Sequence, residues 1–221
     1  MPVQIPVRQM EPATIHDWFL TDAGRAVLAS EEAVVAEALA DRPGLPWLWC
    51  GPMPRSADGP GRGLYLAPGS GSRWRGPVDC ALPLPLPSEA FGAVVLQHVA
   101  RPVGFRGAAL LEEAARLLVN GGRLSLIVLN PLSPYRWRWR GSGISTSEPL
   151  AWRRRLRAAG LAPDAVSQGL GPNWTVQVSP VPQQGPGLRA AYLLRAEKRA
   201  IPLTPVRLRR VMPVPRGASA A

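Results

Sequence analysis

A chain of 221 residues has room for one substantial core and too little for two of ordinary size. With 46% apolar and 19% charged residues, and no apolar run near the roughly 20 residues that span a bilayer, composition excludes a disordered chain and a membrane-spanning helix. The formal charge of +11 is uneven: residues 1–130 hold 11 Arg against 12 acids, a net of −1, and residues 131–221 hold 14 Arg and Lys198 against Glu148, Asp164 and Glu197, a net of +12. Arg outnumbers Lys 25 to 1, as the proteins of a GC-rich genome also do, so charge alone names no partner. Met1 to Met10 lacks the apolar stretch of a secretion signal, which makes the cytoplasm the expected location. Cys50 and Cys80, with His16 and His98, are too few for a disulfide framework or a four-ligand structural metal site.

Along the chain, residues 1–20 read as an N-terminal extension. Thr21 to Asp41 has Ala26, Val27, Ala33, Val34, Ala38 and Leu39 spaced as one apolar helical stripe, with Asp22 suiting the helix start and Arg42-Pro43-Gly44 ending it. Pro46 to Cys50 predicts a buried strand running into a turn at Gly51-Pro52, residues 51–63 a loop, and Leu64 to Leu66 a short strand. Val78 to Ala81 leads into a proline-broken segment, and Ala93 to Leu96 is an unbroken apolar run expected in a strand covered on both faces.

Arg106 to Val119 repeats Leu110, Leu111, Ala114, Leu117 and Leu118 at helical spacing, with Asn120-Gly121-Gly122 as its expected C-terminal cap and Leu124 to Leu129 as the next strand. Strand, helix and strand with short links predict a right-handed parallel crossover. Ser145 and Glu148 have capping-box spacing before a helix ending near Gly160, and Ala190 to Leu194 reads as a late strand. The predicted class is α/β, a mainly parallel sheet flanked by helices. It occupies residues 21–204, ahead of a basic tail, 205–221, whose prolines suit an unfolded segment.

Val78 to Val99, Leu110 to Leu118 and Gly121-Gly122-Arg123-Leu124 together resemble the C-terminal half of class I S-adenosylmethionine (SAM)-dependent methyltransferases of the type 11 group, which have a Rossmann-like fold. The chain is also similar to a proteobacterial methyltransferase-like family with a degenerate cofactor motif, through Trp18, Thr21 to Glu32, Asn130-Pro131 with Ser133, and Lys198 to Thr204. The resemblance implies SAM as cofactor, with Gly51, Asp79, Cys80, Ala81 and Gln97 around it. Asp79 stands where the family's acid meets the adenine amino group. It also implies an acid and a glycine-rich turn after the first strand, and an acid after the second; Cys50-Gly51-Pro52 and Leu66-Ala67-Pro68 supply neither acid. Each missing charged acceptor weakens binding by roughly 1.5 to 3 kcal/mol.

His98, just past a strand end, is a candidate proton acceptor or a structural histidine. Glu113 and Arg116, three apart on one helix, read as a surface ion pair. Asn130 before Pro131 suits a turn or a substrate-facing role, and it does not match the Asn-Pro-Pro-aromatic turn of amino-group methyltransferases, which follows an earlier strand. Tyr135-Arg136-Trp137-Arg138-Trp139-Arg140 predicts either a base-stacking segment, with Tyr135 and Trp137 on the substrate side, or an edge strand or loop with Trp inward and Arg outward. With Arg153, Arg154 and Arg155, these arginines offer nucleic acid or an acidic protein a binding surface. Two functions remain in view: methyl transfer to an unidentified acceptor, and a catalytically inactive methyltransferase-fold module binding RNA or an acidic partner.

Overall fold

The computed structural model describes residues 15–55, 61–101 and 105–199; the tail lies outside them, as does most of the N-terminal extension. Helix α1 (Ile15–Phe19) leads into α2 (Asp22–Ala40). Thr21 caps α2, its hydroxyl accepting the Gly24 N–H at 3.2 Å, and Asp22 sits in the electropositive first turn. The two helices touch at Gly24, where a Cβ would fall 2.4 Å from Trp18 O, so only glycine allows the approach. Trp18 and Phe19 are buried there.

One mixed sheet follows, from β1 (Trp47–Cys50), β2 (Gly63–Pro68), β3 (Arg73–Arg75), β4 (Cys80–Ala81), β5 (Phe91–Gln97), β6 (Leu118–Leu129), β7 (Leu161–Pro163), β8 (Gln168–Leu170), β9 (Gln183–Gln184) and β10 (Ala191–Lys198). Its spatial order is β4-β3-β2-β1-β5-β6-β10-β8-β9, with β7 also on β10. The centre is parallel, β2 on β1, β1 on β5 and β5 on β6 across helix α3 (Phe105–Leu117), as expected. Both flanks are antiparallel, so the sheet is parallel only where the chain crosses over.

Alternation along the strands divides the core. Leu48, Cys50, Val94, Leu96, Leu124, Leu126, Tyr192 and Leu194 face α3 and α4 (Pro149–Ala158), meeting Leu110, Leu111, Trp152 and Leu156. Trp47, Trp49, Ala93, Val95, Ile127, Leu129 and Leu193 face α1 and α2, meeting Val27, Val34, Val35 and Leu39. Central strands buried on both faces need apolar residues at every position, which is why they read as continuous apolar runs.

Local expectations are corrected at four places. Asn120-Gly121-Gly122 does not cap α3. The helix stops at Leu117, the backbone N–H groups of Glu89 and Ala90 donate to its last carbonyls (3.0 Å to Arg116 O, 2.9 Å to Leu117 O), and Gly121, at φ 76°, sits in a bulge of β6. Ser145 and Glu148 form no capping box: Glu148 is itself the N-cap of α4, makes no side-chain cap, and Pro149 opens the helix. Residues 134–138 form a 3₁₀ helix rather than a strand, started by Ser133, whose hydroxyl accepts the Tyr135 N–H. Helical spacing therefore buries Tyr135 and Trp139 and leaves Trp137 59% exposed, where strand alternation would have buried both tryptophans. Finally, Ala33 faces solvent, and Ser30 and Glu31 are buried on α2 in its stead.

Candidate functional site

Beyond the carboxyl ends of β1, β2 and β5 lies a cavity of about 300 Å³, at the lower end of the range for small-molecule sites. Its walls include Pro52 after β1, Pro68 ending β2, Trp74 of β3, Ala81 of β4, Leu82, His98 and Val99 after β5, and Leu110 of α3. Ser72, Arg73 and Arg101 supply its polar rim, and no carboxylate belongs to its lining among the described residues. The loop carrying Leu82 is held from behind. Glu113 Oε1 accepts the Leu84 N–H at 2.7 Å, and Arg116 binds both Glu113 oxygens and Leu84 O. Glu113 is 6% exposed, so this is a buried clamp and not the surface pair that helical spacing suggested. Its hydrogen bond from Arg116, helped by that from Leu84, holds the carboxyl below its ordinary value.

The residues expected around a cofactor separate into two groups. Ala81 lines the cavity, as does His98, the candidate proton acceptor, while Gly51, Asp79, Cys80 and Gln97 do not. Gly51 lies behind it, with its N–H donated to Leu66 O at 3.0 Å and the Tyr65 hydroxyl, bound to Met53 O, standing where a Cβ would be. Asp79 is exposed on the loop before β4, outside the lining, and the Cys80 side chain points into the α3 face of the core. Burial raises the thiols of Cys50 and Cys80, which keeps both protonated. Asn130, fully buried, uses its whole amide on backbone: Nδ2 donates to Gly187 O and Arg189 O at 3.0 Å each, and Oδ1 accepts the Leu132 N–H at 3.1 Å. The buried Tyr135 donates its hydroxyl to Ala23 O at 3.2 Å.

A polar network with no counterpart in the predicted elements sits behind the cavity. Glu31, on α2 and 0% exposed, accepts from Gln97 Nε2 at 2.7 Å and contacts His98 Nε2 with both oxygens at 3.0 Å. Gln97 Oε1 in turn accepts the Trp49 Nε1–H at 3.1 Å. His98 follows β5 with φ 56°, an uncommon conformation for a non-glycine residue, held by its N–H to Ile127 O and by the Phe19 ring 4.7 Å away. The sequence signal for Glu31 was its place on the apolar stripe, four residues after Val27 and four before Val35.

The arginines are unequal. Arg136 and Arg140 stack on the exposed Trp137 ring at 5.5 and 5.0 Å. Arg138 lies over Tyr135 and donates to Trp174 O, Arg153 donates to Asp164 O and Ala165 O, and Arg155 covers Trp152, while Arg154 is exposed.

No family model and no curated protein matches this sequence. Among solved structures, it is similar to a SAM-dependent methyltransferase from Thermotoga maritima, described as a possible histamine N-methyltransferase. The TM-score is 0.52 and the identity 16%, over 82% of this chain and 97% of that one. It is also similar to a chain of the complex of the Haloferax volcanii Trm112 methyltransferase activator with a candidate methyltransferase (TM-score 0.53, 16% identity, 85% and 99% covered). The fold is that of class I methyltransferases. Its parallel centre, with β2 and β5 on either side of β1, is the part that carries the cavity.

Proposed function

We propose that this chain is a SAM-dependent methyltransferase acting on an unidentified acceptor, with the cavity beyond β1, β2 and β5 as its cofactor site. The cavity's position carries the reading. Open sheets bind ligands beyond the carboxyl ends of parallel strands where strand order reverses, and here the chain passes from β1 to β2 on one side and returns to β5 on the other. The adenosyl half of SAM suits the apolar walls, among them Pro52, Trp74, Leu82 and Val99, and its α-carboxylate suits the guanidinium of Arg73 or Arg101. The ribose and ammonium, which the resemblance would pair with acids, find no carboxylate in the described lining, and the Gly51 N–H is already engaged. In this sense the first cofactor motif is degraded, and affinity falls accordingly. SAM supplies an activated methyl group, while the chain's part is to bind, orient and exclude water. Calorimetric titration of the whole chain with SAM tests the proposal, with Ala81→Trp as the blocked control: heat with the first and none with the second is expected.

A second reading, a binding module for RNA, is favoured by Trp137, an exposed ring flanked by two stacked guanidiniums. It requires single-stranded RNA affinity that falls steeply with salt and weakens in Trp137→Ala. Salt-independent or absent binding removes it.

A further inference from the structure

Three segments are tied together beyond the carboxyl end of β6, which is the cavity's end of the sheet because β6 runs parallel to β5. Ser133 donates its hydroxyl to Leu188 O at 2.8 Å, Asn130 Nδ2 reaches Gly187 O and Arg189 O, and Arg138 Nη2 donates to Trp174 O at 3.0 Å. These segments carry Leu132 (59% exposed), Trp137 (59%), Trp174 (66%) and Leu188 (52%). Single exposed apolar residues need no explanation, but four of this size on joined segments mark a surface that something covers.

The charge around them has one sign. Residues 131–147 and 171–190 hold Arg136, Arg138, Arg140 and Arg189 and no Asp or Glu. Arg136 and Arg140 lie over the Trp137 ring at 5.5 and 5.0 Å, which keeps cation and indole in one place. Where lipid headgroups meet acyl chains, indole rings and aliphatic side chains enter the apolar layer while guanidiniums stay with anionic phosphates. Single-stranded RNA would use the rings and the arginines but leave Leu132 and Leu188 in water, since an aliphatic side chain gives a base no ring to stack on.

We propose that Leu132, Trp137, Trp174 and Leu188, with Arg136 and Arg140, dock the chain on the surface of an anionic lipid bilayer. The chain rests on the membrane without crossing it: among the described residues no helix is long and apolar enough to span one. Attraction between the arginines and anionic headgroups brings the chain to the surface, and burial of the apolar side chains holds it there. Docking of this kind is independent of whether SAM binds.

Cosedimentation of the full chain with extruded vesicles tests the proposal. Strong binding is expected to phosphatidylcholine vesicles containing about a third phosphatidylglycerol, and little to phosphatidylcholine alone. Trp137→Ala and Trp174→Ala keep the net charge, so each is expected to weaken binding roughly tenfold with the thermal unfolding midpoint unchanged. Lipids brominated on their acyl chains are expected to quench tryptophan fluorescence in the wild type and less in the variants, which attraction by charge alone would not do. No binding to the anionic vesicles, or equal binding by the wild type and both variants, overturns the proposal. So does Trp137-dependent binding of oligouridylate while the vesicles stay unbound, a result that assigns the surface to RNA.

Discussion

Glu113 and Leu84 are joined by a single short hydrogen bond, the Leu84 N–H to Glu113 Oε1 at 2.7 Å, and through it α3 holds the proline-rich loop that walls the cavity beyond β1, β2 and β5. Glu113→Ala leaves that N–H without its acceptor and the Arg116 guanidinium with only Leu84 O and Ser88 Oγ. The expected loss of stability is roughly 1 to 3 kcal/mol, read from urea unfolding. Because the folded carboxyl sits below its ordinary value of 4.5, its contribution is present above that pH and disappears as pH falls through the folded value. Wild-type stability is therefore expected to drop below about pH 4.5 more steeply than that of Glu113→Gln, measured by urea midpoints between pH 3 and 6.

Cys50 and Cys80 are expected to resist alkylation. Burial raises both thiols, so neither offers thiolate at pH 8 in the folded protein. Mass spectrometry after brief iodoacetamide treatment is expected to find neither modified in buffer and both modified in denaturant.

Asn130 makes three hydrogen bonds to the turn after β6 and the segment before β10 while fully buried. Asn130→Ala is expected to lower stability by roughly 2 to 3 kcal/mol with ligand affinity unchanged, read by thermal unfolding and calorimetry on one sample. A loss of affinity at unchanged stability would give this residue a substrate-side role.

What the sequence made legible follows the range of the forces involved. The β5-α3-β6 crossover was readable because strands buried on both faces and an amphipathic helix leave local patterns, Ala93 to Leu96 and Leu110 to Leu118. The antiparallel flanks were less readable: β3, β8 and β9 have two or three residues each, and their pairing rather than their pattern defines them. Within the site, His98 could be placed at the ligand edge from its position past a strand end and Ala81 through the family resemblance, and both line the cavity. The Glu31 network could not, since its partners Gln97 and His98 lie 66 and 67 residues away, and only their convergence makes a buried carboxylate tolerable. The same holds for Trp137: strand alternation would bury it with Tyr135 and Trp139, and Ser133 starts the 3₁₀ turn that leaves it exposed.

The central claim is that the cavity beyond β1, β2 and β5 is a SAM site, and side-by-side calorimetric titration of the whole chain with SAM and S-adenosylhomocysteine tests it most directly. The lining carries Arg73 and Arg101 and no described carboxylate, so the product, which lacks the sulfonium charge, is expected to bind more tightly than SAM, and Ala81→Trp is expected to abolish both. No heat and no thermal shift with either compound at millimolar concentration, or undiminished binding in Ala81→Trp, would contradict it.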